Sequence, residues 1–217
     1  MPANYDVAVL DYGMGNLHSV SKALQHVAPG ARVYVGADAE TILAAERIVY
    51  PGVGAIRDCI GEVRRLGLDQ VVQEAASSKP LLGICVGMQG MMRHSSENGG
   101  VDCLGLFDYN VEYFSDHFEG QEKAQQLKVP HMGWNSVSQS RPHKLWKGID
   151  DGAHFYFVHS YFVPAHGCAE AAGVVTHGLE AVAAIARDNI FATQFHPEKS
   201  HADGLRLLEN FMHWDGS

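Results

Sequence analysis

The 217-residue sequence lacks an excess of basic charge, closely paired cysteines and long apolar runs, and each absence narrows what the chain can do. With 16 Lys and Arg against 25 Asp and Glu the formal net charge is −9, which argues against nonspecific attraction to nucleic acid or to an anionic membrane. No apolar run reaches the roughly 18 residues of a membrane span, and the opening MPANYDVAVL has no basic segment of a secretory leader. Cys59, Cys85, Cys103 and Cys168 contain no C-x-x-C pair, so neither a zinc site nor a disulfide framework is expected, and a cytosolic, reducing location fits. There is no H-E-x-x-H, and Pro197 breaks any helix shared by His196 and His201, so no metal is expected. GMGNLH and GVGAIR each begin G-x-G but lack the third glycine, so the dinucleotide fingerprint fails. Internal repeats and low-complexity tracts are also missing.

What is present points to an α/β chain. At 46% hydrophobic it can bury a full core, and one domain over 1–217 is expected. YDVAVLDYG reads as a first strand, followed by Leu17, Val20, Leu24 and Val27 at helical spacing. ARVYVG is a second strand, DAETILAAE a short helix capped by Asp38, and RIVYPGVG a third strand ending in a glycine turn. Strands alternating with helices imply right-handed crossovers and a mostly parallel sheet. In the second half LGLFD, NVEYF, HFYFVHSYFV, EAAGVVTHG, EAVAAIARD and IFATQFH are strand-like and closely spaced, which predicts antiparallel hairpins. Ser200 starts a last helix, with SHAD as a capping-box variant. The polar stretch Asp116 to Lys128 is the expected mobile loop.

The chemistry centres on PLLGICVGMQG, Pro80 to Gly90. Pro80 to Ile84 reads as a buried strand and VGMQGMMRH as the helix after it, with Cys85 at the corner. Gly-x-Cys-x-Gly is the cysteine form of a nucleophile elbow, in which Gly83 and Gly87 are expected to crowd each other. Such a corner aims the sulfur at a helix N-terminus, which favours thiolate. In FATQFHPEKS, Pro197 holds His196 extended, so Glu198 two residues on is expected to point the same way and orient the ring. Cys85, His196 and Glu198 thus make a nucleophile, base and orienter. Val86 N–H is the expected first oxyanion donor. PGVG, Pro51 to Gly54, lies on the same carboxyl edge of the sheet, and reads either as an anion-binding turn offering a second N–H or as a plain structural turn.

GICVGMQ and FHPEKS together resemble the nucleophile and His-Pro-Glu motifs of the class I, or triad, glutamine amidotransferases. Within that class DYGMGNLHSV, PGVGAIRD, KVPHMGWN, FYFVHSY and QFHPEKS resemble the glutaminase subunits of bacterial imidazole glycerol phosphate synthase, over nearly the whole chain. The resemblance implies a single flavodoxin-like domain, with helices on both faces of a mostly parallel sheet and antiparallel strands in the C-terminal half. It implies a Cys85–His196–Glu198 triad, oxyanion contacts from Gly52, Val53 and Val86, and substrate glutamine held by Gln89 and Glu97. Asn16, Trp134, Tyr156 and Lys199 match positions near a partner, a (β/α)8-barrel cyclase subunit completing a heterodimer. No cofactor is implied. Glutamine would be hydrolysed through a thioester, and the ammonia passed to the cyclase to make imidazole glycerol phosphate and an aminoimidazole carboxamide ribotide in histidine biosynthesis. PHMGWN is expected to put Trp134 on a loop. Two positions depart from the pattern, Val86 and Gly90, where leucine is commoner; Gly90 weakens its helix by up to about 1 kcal/mol relative to alanine. Rival readings are an ammonia donor to another synthase, such as a surface-polysaccharide sugar amidotransferase, a stand-alone Cys-His hydrolase, and a non-catalytic flavodoxin-like binding module.

Overall fold

A computed structural model describes residues 5–118 and 127–217. The central sheet has eight strands. β1 (Val7–Leu10), β2 (Val33–Gly36), β3 (Ile48–Gly52), β4 (Leu81–Cys85) and β14 (Ile190–Thr193) run parallel in the order β2-β1-β3-β4-β14. The antiparallel strands β13 (Leu179–Arg187), β12 (Ala171–His177) and β9 (Ser138–Gln139) extend it beyond β14. All residues of β1, β3, β4 and β14 are buried, as a parallel strand covered on both faces requires.

The strand order fixes the helix layers. The path from β1 to β2 runs one way across the sheet, whereas those from β2 to β3 and from β3 to β4 run the other. Right-handed crossovers therefore put α1 (Leu17–Val27) on one face, and α2 (Ala39–Ala44), α3 (Ile56–Arg65) and α4 (Leu68–Ala76) on the other. The C-terminal α6 (His201–His213) packs against α1. Asp38 caps α2, accepting from Thr41 N–H at 2.8 Å.

Two smaller sheets stand beside this core. β8 (His131–Ser136) pairs antiparallel with β10 (His154–His159). The other has the order β11-β7-β5-β6, from β11 (Tyr161–Phe162), β7 (Phe107–Tyr113), β5 (Met92–Ser95) and β6 (Val101–Asp102).

Several local expectations are corrected. LGLFD and NVEYF contribute to one strand, β7, because the Asp108–Asn110 segment between them stays extended. HFYFVHSYFV divides at Ser160 into β10 and β11, which belong to different sheets. The helix after Cys85, α5 (Val86–Gly90), has five residues only, and the chain then enters β5. PHMGWN is the strand β8 and its approach, not a loop, since six residues of β8 find partners on β10. Ser200 does not cap α6 with its side chain, because its hydroxyl bonds His196 and Tyr156 instead. Most of the polar stretch Asp116 to Lys128 lies outside the described residues. No helix of the described residues is long and apolar enough to cross a membrane.

Candidate active site

Cys85 is the last residue of β4 and the first step into α5. Its φ of 55° and ψ of −111° are strained for a side-chain-bearing residue, the backbone signature of a nucleophile elbow. Three glycines allow the corner, but Gly83 and Gly87 do not crowd each other as expected. A Cβ on Gly83 would lie 2.9 Å from Ala192 Cβ, across the β4–β14 pair. A Cβ on Gly87 would lie 1.9 Å from Tyr50 O on β3. Gly52, the register partner of Cys85, would press a Cβ to within 2.9 Å of Gly87 N. The first turn of α5 is thus pulled down onto the end of β3, and only bare backbone fits. Gly90 has a packing reason as well: a Cβ there would come 2.8 Å from the buried Tyr50 Oη, so alanine is not the unhindered alternative that helix propensity alone suggests.

His196 follows the end of β14, the strand beside β4. Its Nδ1 lies 2.9 Å from Glu198 Oε1, and both side chains are buried. The pair forms as expected, by a different route. Pro197 to Lys199 is a 3-10 turn, and this turn, not an extended alternation, returns Glu198 to the ring. His196 N–H donates to Tyr156 O at 3.0 Å. Ser200 Oγ donates to His196 O at 2.6 Å and accepts from Tyr156 N–H at 3.0 Å, so it ties the histidine segment to β10. The rule that Ser at a helix start is a cap hid this role.

Burial alone would lower the affinity of His196 for a proton. The neighbouring Cys85 and Glu198 outweigh burial and push the imidazole up to about 10. Among the described residues His196 Nε2 has no hydrogen-bond partner, so the influence of Cys85 is that of an adjacent sulfur, not of a completed bond. With Nδ1–H given to Glu198, Nε2 is the nitrogen free to exchange a proton at the sulfur.

A cavity of about 310 Å³ opens beside the sulfur and brings together Val53, Cys85, Val86, Gln89, Glu97 and His196. Gly52 does not line it, but lies with Asn16, His196 and Glu198 around a smaller recess. Gln89 is 3% exposed, and its Nε2 donates to Tyr161 O at 3.0 Å and to Gln194 Oε1 at 2.9 Å. Glu97 Oε2 accepts from Ile56 N–H, the first amide of α3, at 3.2 Å. Burial pushes the Glu97 carboxyl above its usual range, against that hydrogen bond. Among the described residues no group of three or more His, Cys, Asp or Glu is placed to hold a metal ion.

The remaining expected residues fall together on one surface. Trp134 is 45% exposed on β8 and Tyr156 is its register partner on β10, with ring centroids 6.1 Å apart. Lys199 Nζ lies 5.9 Å above the Tyr156 ring, and Trp134 stacks on His201 at 4.8 Å. Met132, two residues before Trp134 and on the same side of the strand, is 62% exposed. The sequence pattern gave no sign that Met132 and His201 share this surface, that His159 lines the cavity, or that Gln194, Ser200 and His131 bond to Cys85, His196 and His159.

The model of the class-I glutamine amidotransferases matches residues 8–214. The chain belongs to this family. It is 56% identical over 210 residues to the imidazole glycerol phosphate synthase subunit HisH of Pseudomonas putida, covering 97% of this chain and 98% of that protein. The HisH protein of Dechloromonas aromatica is 54% identical over 212 residues, with 98% of each covered. Among solved structures, PurLQS from Thermotoga maritima superposes with a TM-score of 0.69 at 17% identity, over 98% of this chain and 99% of that one. A second structure, a glutamine amidotransferase, gives 0.69 at 17% identity over 96% and 97%. At these identities the structural likeness speaks to the fold alone, which is that of the class-I family: helices on both faces of a largely parallel sheet.

Proposed function

We propose that the chain is the glutaminase subunit of an imidazole glycerol phosphate synthase. The observation that carries the reading is Cys85, strained at a strand-to-helix corner beside the buried His196–Glu198 pair, in a chain 56% identical to HisH proteins. Cys85 Sγ attacks the side-chain carbonyl carbon of glutamine. The oxyanion is held by Val86 N–H, the first amide after the nucleophile, together with the Gly52–Val53 turn. Val86 N–H, at the start of α5, has no intrahelical partner, which leaves it available. As the C–N bond breaks, His196 passes its Nε2 proton to the leaving nitrogen and ammonia departs. His196 then takes a proton from water as that water attacks the thioester, and glutamate is released with Cys85 returned as thiolate beside the reprotonated His196. Glu198 holds the ring in place and balances its charge through both steps.

Gln89 and Glu97 line the cavity and bind the amino-acid end of glutamine. The side-chain Oε1 of Gln89 and the carboxylate of Glu97 are acceptors suited to an α-ammonium group. Trp134, Tyr156, Lys199 and Asn16 face the partner, which is a (β/α)8-barrel cyclase in a cytosolic heterodimer. There the ammonia is used to make imidazole glycerol phosphate and an aminoimidazole carboxamide ribotide.

The deciding experiment pairs the purified chain with a cyclase subunit and compares Cys85→Ala with the parent. Glutamine-dependent synthesis should vanish while synthesis from added ammonia persists. Equal loss of both in an assembled complex would remove Cys85 from the ammonia-producing step.

A further inference from the structure

We infer that Gln194 is a positioning residue that donates a hydrogen bond to the Cys85 sulfur and holds it as a thiolate. Gln194 is fully buried, and its Nε2 lies 3.8 Å from Cys85 Sγ, within reach of a hydrogen bond to sulfur. It lies just beyond β14, two residues before His196, and its own N–H donates to Ala183 O at 2.8 Å.

The network around it decides which end of the amide faces the sulfur. A backbone carbonyl can only accept, so the Gln89 atom 3.0 Å from Tyr161 O must be the nitrogen. That same nitrogen lies 2.9 Å from the Gln194 amide, whose facing atom must then be oxygen. The Gln194 Nε2 is left pointing at Sγ. Tyr161 O is itself fixed by His159 Nδ1–H at 2.8 Å, so the chain of donors starts from a held main-chain atom. Reversing Gln194 would face its amide nitrogen to that of Gln89 and its oxygen to the sulfur, losing a bond and repelling a thiolate.

A donor aimed at sulfur favours the charged form over the neutral one. His196 alone does not fix where the sulfur sits, because its Nε2 forms no hydrogen bond among the described residues. Gln194 supplies that second contact. It is a neutral group, so it holds the anion without taking up its proton. The titratable groups that interact with Cys85 or share its cavity are His196, Tyr12, Cys59, Glu97, His159 and Tyr161, and none of them occupies the position of this amide.

The inference rests on Cys85 being the nucleophile, and the test separates the two ideas because it needs neither glutamine nor a partner. Alkylation of the full chain by iodoacetamide is followed across pH, with Cys85→Ala as the blank. Parent and blank alkylating alike would overturn the nucleophile itself. Gln194→Met, which keeps the volume and loses the donor, should slow Cys85 alkylation near neutral pH by about tenfold, the low end for one hydrogen bond to a charged acceptor. The difference should close at high pH, where the thiol ionises in either protein. Gln194→Glu keeps the shape and decides the matter even if methionine packs poorly. Ionised, it repels the thiolate and slows alkylation; protonated, it can donate again, so its rate relative to the parent should recover as pH falls. A parent-like profile in both variants, or a uniform slowing at every pH, would assign Gln194 to packing instead.

Discussion

The Nδ1 of His196 lies 2.9 Å from Oε1 of a Glu198 side chain that is wholly buried, two residues further along the chain in a three-residue 3-10 turn. A carboxyl group so deep in the molecule is tolerable only while paired, and the contact also orients the His196 ring.

His196→Ala should therefore lower the glutaminase kcat at least about a hundredfold, the low end for losing a positioned acid–base group. Glu198→Gln retains a hydrogen-bond acceptor for the ring and loses only the charge, so it should be the milder variant. Steady-state ammonia release by both, in the assembled complex, ranks them; a Glu198→Gln enzyme slower than His196→Ala would reverse the assigned roles.

The glycines make a prediction with opposite signs at two positions. Gly87→Ala drives a Cβ to 1.9 Å from the Tyr50 carbonyl, against backbone on both sides, and should remove about 3 kcal/mol of stability or prevent folding. Gly61→Ala, in the exposed middle of α3 with nothing within 4 Å of the new Cβ, should add up to about 1 kcal/mol. Urea unfolding of the two variants measures both, and similar values would mean that α5 yields freely above β3.

These outcomes track what the sequence could reveal. Gly-x-Cys-x-Gly and His-Pro-Glu are local patterns, so the corner and the His196–Glu198 pair were legible within a few residues. The reason for Gly83 and Gly87 was not, because the atoms that exclude a side chain belong to β14 and β3. Gln194 and Ser200 were invisible for the same reason. The Gln194 amide meets a sulfur 109 residues away, and the Ser200 hydroxyl meets an amide 44 residues away. Nothing in the local pattern distinguishes a buried polar bridge from an ordinary strand-end glutamine or helix-start serine. Trp134 shows the limit from the other side: a glycine neighbour and polar flanks suggested a loop, yet β8 alternates exposed positions with buried or half-buried ones and simply turns its tryptophan outward.

That outward tryptophan predicts a binding defect. Trp134 stacks flat on His201 and touches Tyr156, which holds the ring ready for a pocket on a partner instead of lying in the core. Trp134→Ala should weaken association with the cyclase subunit by about 2 kcal/mol or more, roughly a thirtyfold rise in Kd, with little change in the Tm of the free subunit. Titration calorimetry and thermal melting report the two quantities separately. A large fall in Tm with unchanged affinity would move the partner face elsewhere.

The polarity of the His131–His159 chain sets the acid limit of the fold. Tyr161 O can only accept, so His159 Nδ1 carries a proton at 2.8 Å and its Nε2 is bare. That bare nitrogen accepts from His131 Nδ1 at 3.0 Å, and His131 Nε2 in turn accepts from Asn135 at 3.2 Å. Both rings are neutral in this arrangement, and a further proton on either would break a bond. Burial, with neighbouring histidines acting in the same direction, pushes His131 down to about 4 and His159 down to about 3. In the unfolded chain both rings titrate near 6.5. Above that pH neither state binds the protons, and the pair adds no pH dependence. As pH falls from about 6.5 towards about 4, the unfolded chain takes up protons that the native chain refuses. Stability is then lost at up to about 1.4 kcal/mol per pH unit for each ring. Urea unfolding at several pH values across this window, on the parent and on the double variant His131→Gln, His159→Gln, tests the sign. The variant, though weaker at neutral pH, should lose stability less steeply with acid; matching slopes would mean that these rings accept protons inside the folded molecule.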